Sequence, residues 1–112
     1  MPSPEETRIA RTESAFRHVN ERINEAAQRF DSGNADFVCE CADPECHDQV
    51  DTPLETYEDV RSRPTTFLVA KGHEIPAYEH VRRRGRGYLI VEKVGRSLKA
   101  ALRRSDPRAE SA

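Results

Sequence analysis

Three cysteines fall within eight residues of one another, as Cys39-Glu40-Cys41 and then Cys46, in a chain with little else from which to build a core. No other feature restricts the fold as much. Of the 112 residues, 34% are charged and 36% hydrophobic, with no Trp and a single Met. Such a length accommodates one domain, and a body this poor in large apolar side chains commonly takes a metal or disulfides to supplement its core. Disulfides are rare in reducing compartments, where clustered thiols more often bind metal or do redox work. No apolar run approaches the ~20 residues of a membrane span, and no charged-then-apolar leader marks export. The expectation is a cytoplasmic protein, with no membrane partner, built around a thiol metal site.

Zn²⁺ takes four soft or borderline ligands in a tetrahedron, and thiolate and imidazole suit it. The cysteines supply three, so the fourth must come from elsewhere. His73 is the first candidate, because Gly72-His73 closes a strand and glycine lets the backbone bend toward the cysteine turn. His47 is the runner-up, although neighbours such as Cys46 and His47 rarely reach one ion together. His18 and His80 are expected in regular elements, facing solvent or neighbours. The expected set is therefore Cys39, Cys41, Cys46 and His73, with the backbone kinked between Cys39 and Cys41 so that both thiols reach the ion. An iron–sulfur cluster usually needs four cysteines, and only three exist. A filled Cys3His site leaves no position for substrate or activated water, which argues against an enzyme. The H-x-E and P-C-x-x-C signatures of zinc deaminases are absent from the sequence, as are a phosphate-binding glycine loop and a Ser-His-Asp grouping.

Around this cluster the chain reads as α+β. Ser3-Pro4-Glu5-Glu6 is a capping box with proline at the first helical position, and Asp31-Ser32-Gly33-Asn34 is a stop. Between them Ile9, Phe16, Val19, Ile23, Ala26 and Phe30 recur three, four or seven residues apart, one apolar stripe along a long amphipathic helix. Glu13, Arg17, Glu21, Glu25 and Arg29 lie four apart on another face, in pairs mostly of opposite sign. About 27 residues at 1.5 Å each span roughly 40 Å. The C-terminal half of the stripe is expected to pack on the body, and the N-terminal half to stand free, self-associate or meet another protein.

The remainder predicts a short strand at Phe37–Cys41, a second near Gln49–Asp51, and a helix opened by the cap-like Thr52-Pro53-Leu54-Glu55. A buried strand over Thr65–Ala70 follows, then a hairpin of Ala77–Arg83 and Tyr88–Val94 turned through Arg84-Gly85-Arg86-Gly87. Residues 95–104 read as a short basic helix and 105–112 as a disordered tail. The domain reading is an N-terminal helix over 1–34, a small zinc-stapled α+β body over 35–95, and a basic, partly disordered segment over 96–112.

The near-neutral total charge hides a split. Residues 1–60 hold 5 basic and 15 acidic side chains, a balance of −10, and residues 61–112 hold 13 and 5, a balance of +8. Opposite halves either neutralise each other within the fold or present two faces to partners, and self-neutralisation is the favoured reading. The basic half carries Arg82, Arg83, Arg84 and Arg86 at the hairpin tip, which could follow a phosphate backbone or an acidic partner, or simply keep an edge strand soluble.

The run from Arg11 to Ile23 containing Phe16-Arg17 and Val19-Asn20-Glu21-Arg22 is followed by Phe37-Val38-Cys39-Glu40-Cys41, Cys46, Tyr57-Glu58, Phe67, Gly72-His73 and Tyr88-x-Ile90-Val91-Glu92-Lys93. Together these elements resemble a family of small actinobacterial proteins of uncharacterised activity. The likeness covers about residues 8–94, and implies a shared metal site at Cys39, Cys41, Cys46 and His73. His47 lies outside that pattern. The functional expectation is a non-catalytic zinc-binding interaction or regulatory module. The alternatives are a nucleic-acid-associated protein using the arginine hairpin and a thiol-based zinc redox sensor.

Overall fold

A computed structural model describes residues 2–108 of the chain. Its first element is the long helix, α1 (Pro4–Arg29), opened as expected by the capping box. The Ser3 hydroxyl accepts from the Glu6 amide at 3.1 Å while the Glu6 carboxylate accepts from the Ser3 amide at 2.9 Å. A two-stranded antiparallel sheet follows, β1 (Asn34–Val38) and β2 (Gln49–Pro53), with Phe37 opposite Val50. Then come α2 (Leu54–Arg61), β3 (Thr66–Ala70), β4 (Glu79–Arg84), β5 (Tyr88–Lys93) and α3 (Arg96–Arg104). The last three strands form an antiparallel sheet in the order β3-β5-β4. The fold class is thus α+β, as expected. No described helix is long and apolar enough to cross a membrane.

The three-stranded sheet is covered on both faces, which explains why the central strand β5 is buried along almost its whole length without alternation, apolar through Val91 and charged at Glu92 and Lys93. Phe67, Val69, Leu89 and Val91 face α1 and α3, packing with Ala10, Leu98 and Leu102. Leu68 and Ile90 face the other way, toward Phe37, Val50, Tyr57 and Val60. The Phe37 and Tyr57 rings stack at 4.4 Å between centroids.

Local expectations failed at three places. β1 ends at Val38, before the cysteines, rather than running through Cys41. The Thr52 cap of α2 does not form, because Thr52 alternates inward with Val50 along β2 and Pro53 becomes the cap residue, with no side-chain bond. Residues 105–108 are not a free tail. Asp106 is buried against Arg61, and Arg108 pairs with Glu21 at 2.7 Å and Glu58 at 3.0 Å. Residues 109–112, the rest of that expected tail, lie outside the described residues.

The larger surprise is which face of α1 is buried. It is the polar one: Glu13, Ser14, Arg17, Asn20 and Asn24, joined by Ile9 and Ala10. Apart from Ile9, the predicted apolar stripe lies on the flank and outside, with Phe16 and Ile23 half-buried and Val19 44% and Phe30 83% exposed. The N-terminal half, expected to stand free, self-associate or meet another protein, packs on the body of its own chain through Ile9, Ala10, Glu13 and Ser14. Polar side chains can face inward because each meets a partner. Lys93 on β5, itself fully buried, donates to Glu13 Oε2 at 2.8 Å and pairs also with Glu79. The Arg17 guanidinium donates to the Thr66 carbonyl at 2.8 Å and lies 3.9 Å from the centre of the Phe67 ring. Asn20 clips the end of β1, its amide donating to the Val38 carbonyl and accepting from the Val38 N–H. The acidic and basic halves of the chain do meet in ion pairs, Arg61 and Arg108 with Glu21, Arg108 with Glu58, Arg83 with Asp59 and Lys93 with Glu13, and the last of these is enclosed in the core rather than on a solvated surface.

Burial pushes the Glu13 carboxyl up to about 7, with Lys93 working in the opposite direction. A folded-state value above the ordinary 4.5 means that the fold prefers the protonated form. This group's contribution to stability is fully present below about pH 4.5 and is lost as pH rises through about 7. Chemical denaturation of the wild type and Glu13→Gln across that window should show the wild type losing on the order of 2–3 kcal/mol relative to the variant. A constant difference between the two would contradict the assignment.

Candidate metal centre

Beyond β1 the chain turns back through Asp43-Pro44-Glu45 to reach β2, and this loop carries the three thiols. The Cys39 N–H still donates to the Asp48 carbonyl at 3.0 Å, continuing the β1–β2 ladder by one rung. A turn bond from the Cys46 N–H to the Asp43 carbonyl, 3.0 Å, brings Cys46 back toward the first two cysteines. His73 arrives from the opposite sheet, in the connection after β3. There the His73 N–H donates to the Ala70 carbonyl at 3.0 Å, and Gly72 takes φ +90°, a left-handed conformation that glycine adopts without strain.

The Sγ atoms of Cys39, Cys41 and Cys46 and a ring nitrogen of His73 all lie within 4.8 Å of one another, close enough to hold a metal ion. No kink between Cys39 and Cys41 is needed, contrary to expectation. Residues two apart in extended backbone share a face, so both thiols point to the cluster while the intervening Glu40 points inward. The His73 Nδ1 lies 3.5 Å from Cys39 Sγ and 3.5 Å from Cys46 Sγ. Zn–S and Zn–N bonds of ordinary length in a tetrahedron separate sulfur from nitrogen by about 3.6 Å, so the spacing fits.

Cys39 and Cys41 are buried and Cys46 is half-buried. Burial raises the Cys39 and Cys41 thiols, so without a cation both favour the protonated form; N–H bonds from Ala70 to Cys39 and from Asp43 to Cys41 work the other way. The Ala70 N–H lies 3.1 Å from Cys39 Sγ. A divalent cation is the charge that would make three thiolates stable here.

One participant was invisible in the sequence. Asp48 Oδ2 lies 3.0 Å from His73 Nε2, the ring nitrogen turned away from the thiols. A carboxylate behind a ligand imidazole fixes its tautomer and orientation, which leaves Nδ1 free to bind. Nothing in the local pattern marks Asp48, because its partner is distant in sequence. His47, the alternative fourth ligand, is exposed and outside the cluster, as are His18 and His80.

The hairpin arginines do not form a single stripe. Arg82 pairs with Glu92 at 3.1 Å and Arg83 with Asp59 at 3.4 Å, whereas Arg84 and Arg86 are exposed and make no ion pair among the described residues. Comparison with protein families, with curated proteins and with solved structures finds no match to this chain.

Asp48→Ala should weaken Co²⁺ binding at the cluster by about tenfold or more, read from the thiolate-to-cobalt absorption in competition with a chelator. Unchanged affinity would show that Asp48 does not orient His73.

Proposed function

We propose that this chain is a non-catalytic zinc-binding module, in which Zn²⁺ held by Cys39, Cys41, Cys46 and His73 staples the β1–β2 loop to the turn after β3. The observation that carries this reading is the convergence of four ligand atoms from two sheets within 4.8 Å. Three thiolates and one imidazole complete a tetrahedron and leave no open position, the mark of structural rather than catalytic zinc. The softness of the donor set favours zinc over the oxygen-seeking Mg²⁺ and Ca²⁺. The role left to the protein is then to present a surface to a partner, and the exposed flank of α1 with Val19 and Phe30 is available for it.

The arginine hairpin gives less support to a nucleic-acid role, since Arg82 and Arg83 are already engaged by carboxylates.

Elemental analysis of the protein purified without added metal should find about one zinc per chain. Cys46→Ser and His73→Ala should each lower zinc affinity by at least tenfold, and chelation should lower the melting temperature of the wild type. A metal-free protein that is fully folded, and whose melting temperature zinc does not change, would overturn the proposal.

A further inference from the structure

The recess between the end of α2 and strand β4 is built by a feature that the zinc module does not use. It has a volume of about 290 Å³ and is lined by Asp59, Ser62, Arg63, Arg82, Arg83 and Ile90, with Thr66 at its base. Consecutive residues of a strand point to opposite faces, so Arg82 and Arg83 should not share a recess. They do so because β4 carries an irregularity between Val81 and Arg83. Val81 pairs with Val91 and Arg83 with Ile90, leaving Arg82 as an extra residue. In the uninterrupted register Arg82 would oppose Ile90 and Arg83 would oppose Leu89, whose side chain faces α1 and α3. The bulge returns Arg83 to the side of Ile90 and Glu92, where Arg82 already points. Bulges of this kind re-aim side chains and concentrate near functional sites.

Arg63, from the segment after α2, completes the set. It lies 3.4 Å from Glu92, which also holds Arg82, while Asp59 holds Arg83. Each of these ion pairs is made by Nη1, one corner of a guanidinium that carries five N–H donors. The two carboxylates thus orient the arginines without exhausting them. Glu92 is only 7% exposed and lies beneath, whereas the Arg63, Arg82 and Arg83 side chains are 54%, 40% and 48% exposed; with Asp59 66% exposed on the rim, three guanidinium groups outnumber the one carboxylate that shares the surface with them.

We propose that this recess binds the phosphate group of a small phosphorylated ligand, with Arg63, Arg82 and Arg83 as the recognition groups. Planar guanidinium forks match the oxygen spacing of phosphate and bind it bidentately, which a lysine cluster would not do. The recess suits a compact monoester better than a polymer, because Arg84 pairs opposite Leu89 and is turned away from it, so the four hairpin arginines do not form a continuous track.

The test is a titration of the purified full chain with inorganic phosphate, at ionic strength held constant with chloride and followed by backbone amide chemical shifts. Saturable shifts should appear around Ser62, Arg63, Arg82 and Arg83, with a dissociation constant on the order of 1 mM for the bare ion. Arg82→Ala and Arg83→Ala should each weaken binding at least about fivefold, and Arg84→Ala should leave it unchanged. Shifts that do not saturate, that chloride reproduces, or that Arg84→Ala reduces as much as Arg82→Ala would overturn the proposal. A second arm uses single-stranded oligothymidylate. Tight binding of that polymer, weakened equally by Arg84→Ala and Arg86→Ala, would replace the small-ligand site with a polyanion surface.

Discussion

A single buried carboxylate ties the molecule together. Glu40 sits between two of the thiols and is fully enclosed. Its oxygens accept from the Asn20 amide of α1 at 2.8 Å, the Tyr57 hydroxyl of α2 at 3.1 Å and the Leu68 N–H of β3 at 3.0 Å. Its own N–H donates to the Leu68 carbonyl at 2.7 Å. Two helices and both sheets therefore meet at one residue, and its neighbours on either side face the cluster. Removing the carboxylate would leave two buried donors, the Tyr57 hydroxyl and the Leu68 N–H, without the acceptor they have here, each costing about 1–3 kcal/mol, while the Asn20 amide would keep its bond to the Val38 carbonyl. The thiol loop is placed by the same residue that closes the core.

That arrangement belongs to a wider pattern. With so few large apolar side chains, the chain fastens its elements by enclosed charge: Lys93 with Glu13 and Glu79, Arg61 with Asp106, and Arg17 against the Phe67 ring. Such pairs contribute little net stability once desolvation is counted, but they tolerate no alternative partner without leaving a charge unpaired. In this protein they set the rotation of α1 about its axis. An apolar seam alone would have turned the helix so that Phe16, Val19 and Ile23 faced the sheet. Instead Glu13, Arg17 and Asn20 do, and the apolar flank is left at the surface.

Legibility in the sequence followed the range of the physics involved. The start of α1 was readable because Ser3 and Glu6 satisfy each other within one turn. The hairpin was readable because its Gly-Arg-Gly turn is local; Gly85 is packed under the Tyr88 ring so closely that a Cβ would lie 2.0 Å from it. The cluster of Cys39, Cys41, Cys46 and His73 was readable because thiol and imidazole chemistry is rare enough to stand out. What escaped was long-range. The buried face of α1 depends on Lys93, Thr66 and Glu40, none of them near in sequence, and the stripe rule assumes that the apolar side faces in. Asp48 and the displaced Arg82 were hidden for the same reason, since strand register is not written in a run of similar arginines. Thr52 misled because a cap motif and an inward-facing strand residue look alike until the neighbouring strand is known.

The sequence order of the four cluster residues also bears on folding. Cys39, Cys41 and Cys46 lie within one short loop, while His73 is 27 residues beyond the last of them. Closing a short loop around an ion costs little chain entropy, so three thiols can seize a metal before any sheet exists. An ion held that way in the unfolded chain stabilises the native state only by the difference that the imidazole and the preformed geometry add. Under the proposed zinc reading, the gain in folding stability on adding metal would understate how tightly the metal was held. The ion would act first as an early organiser of the loop, and His73 would record, by arriving last, that the two sheets have come together.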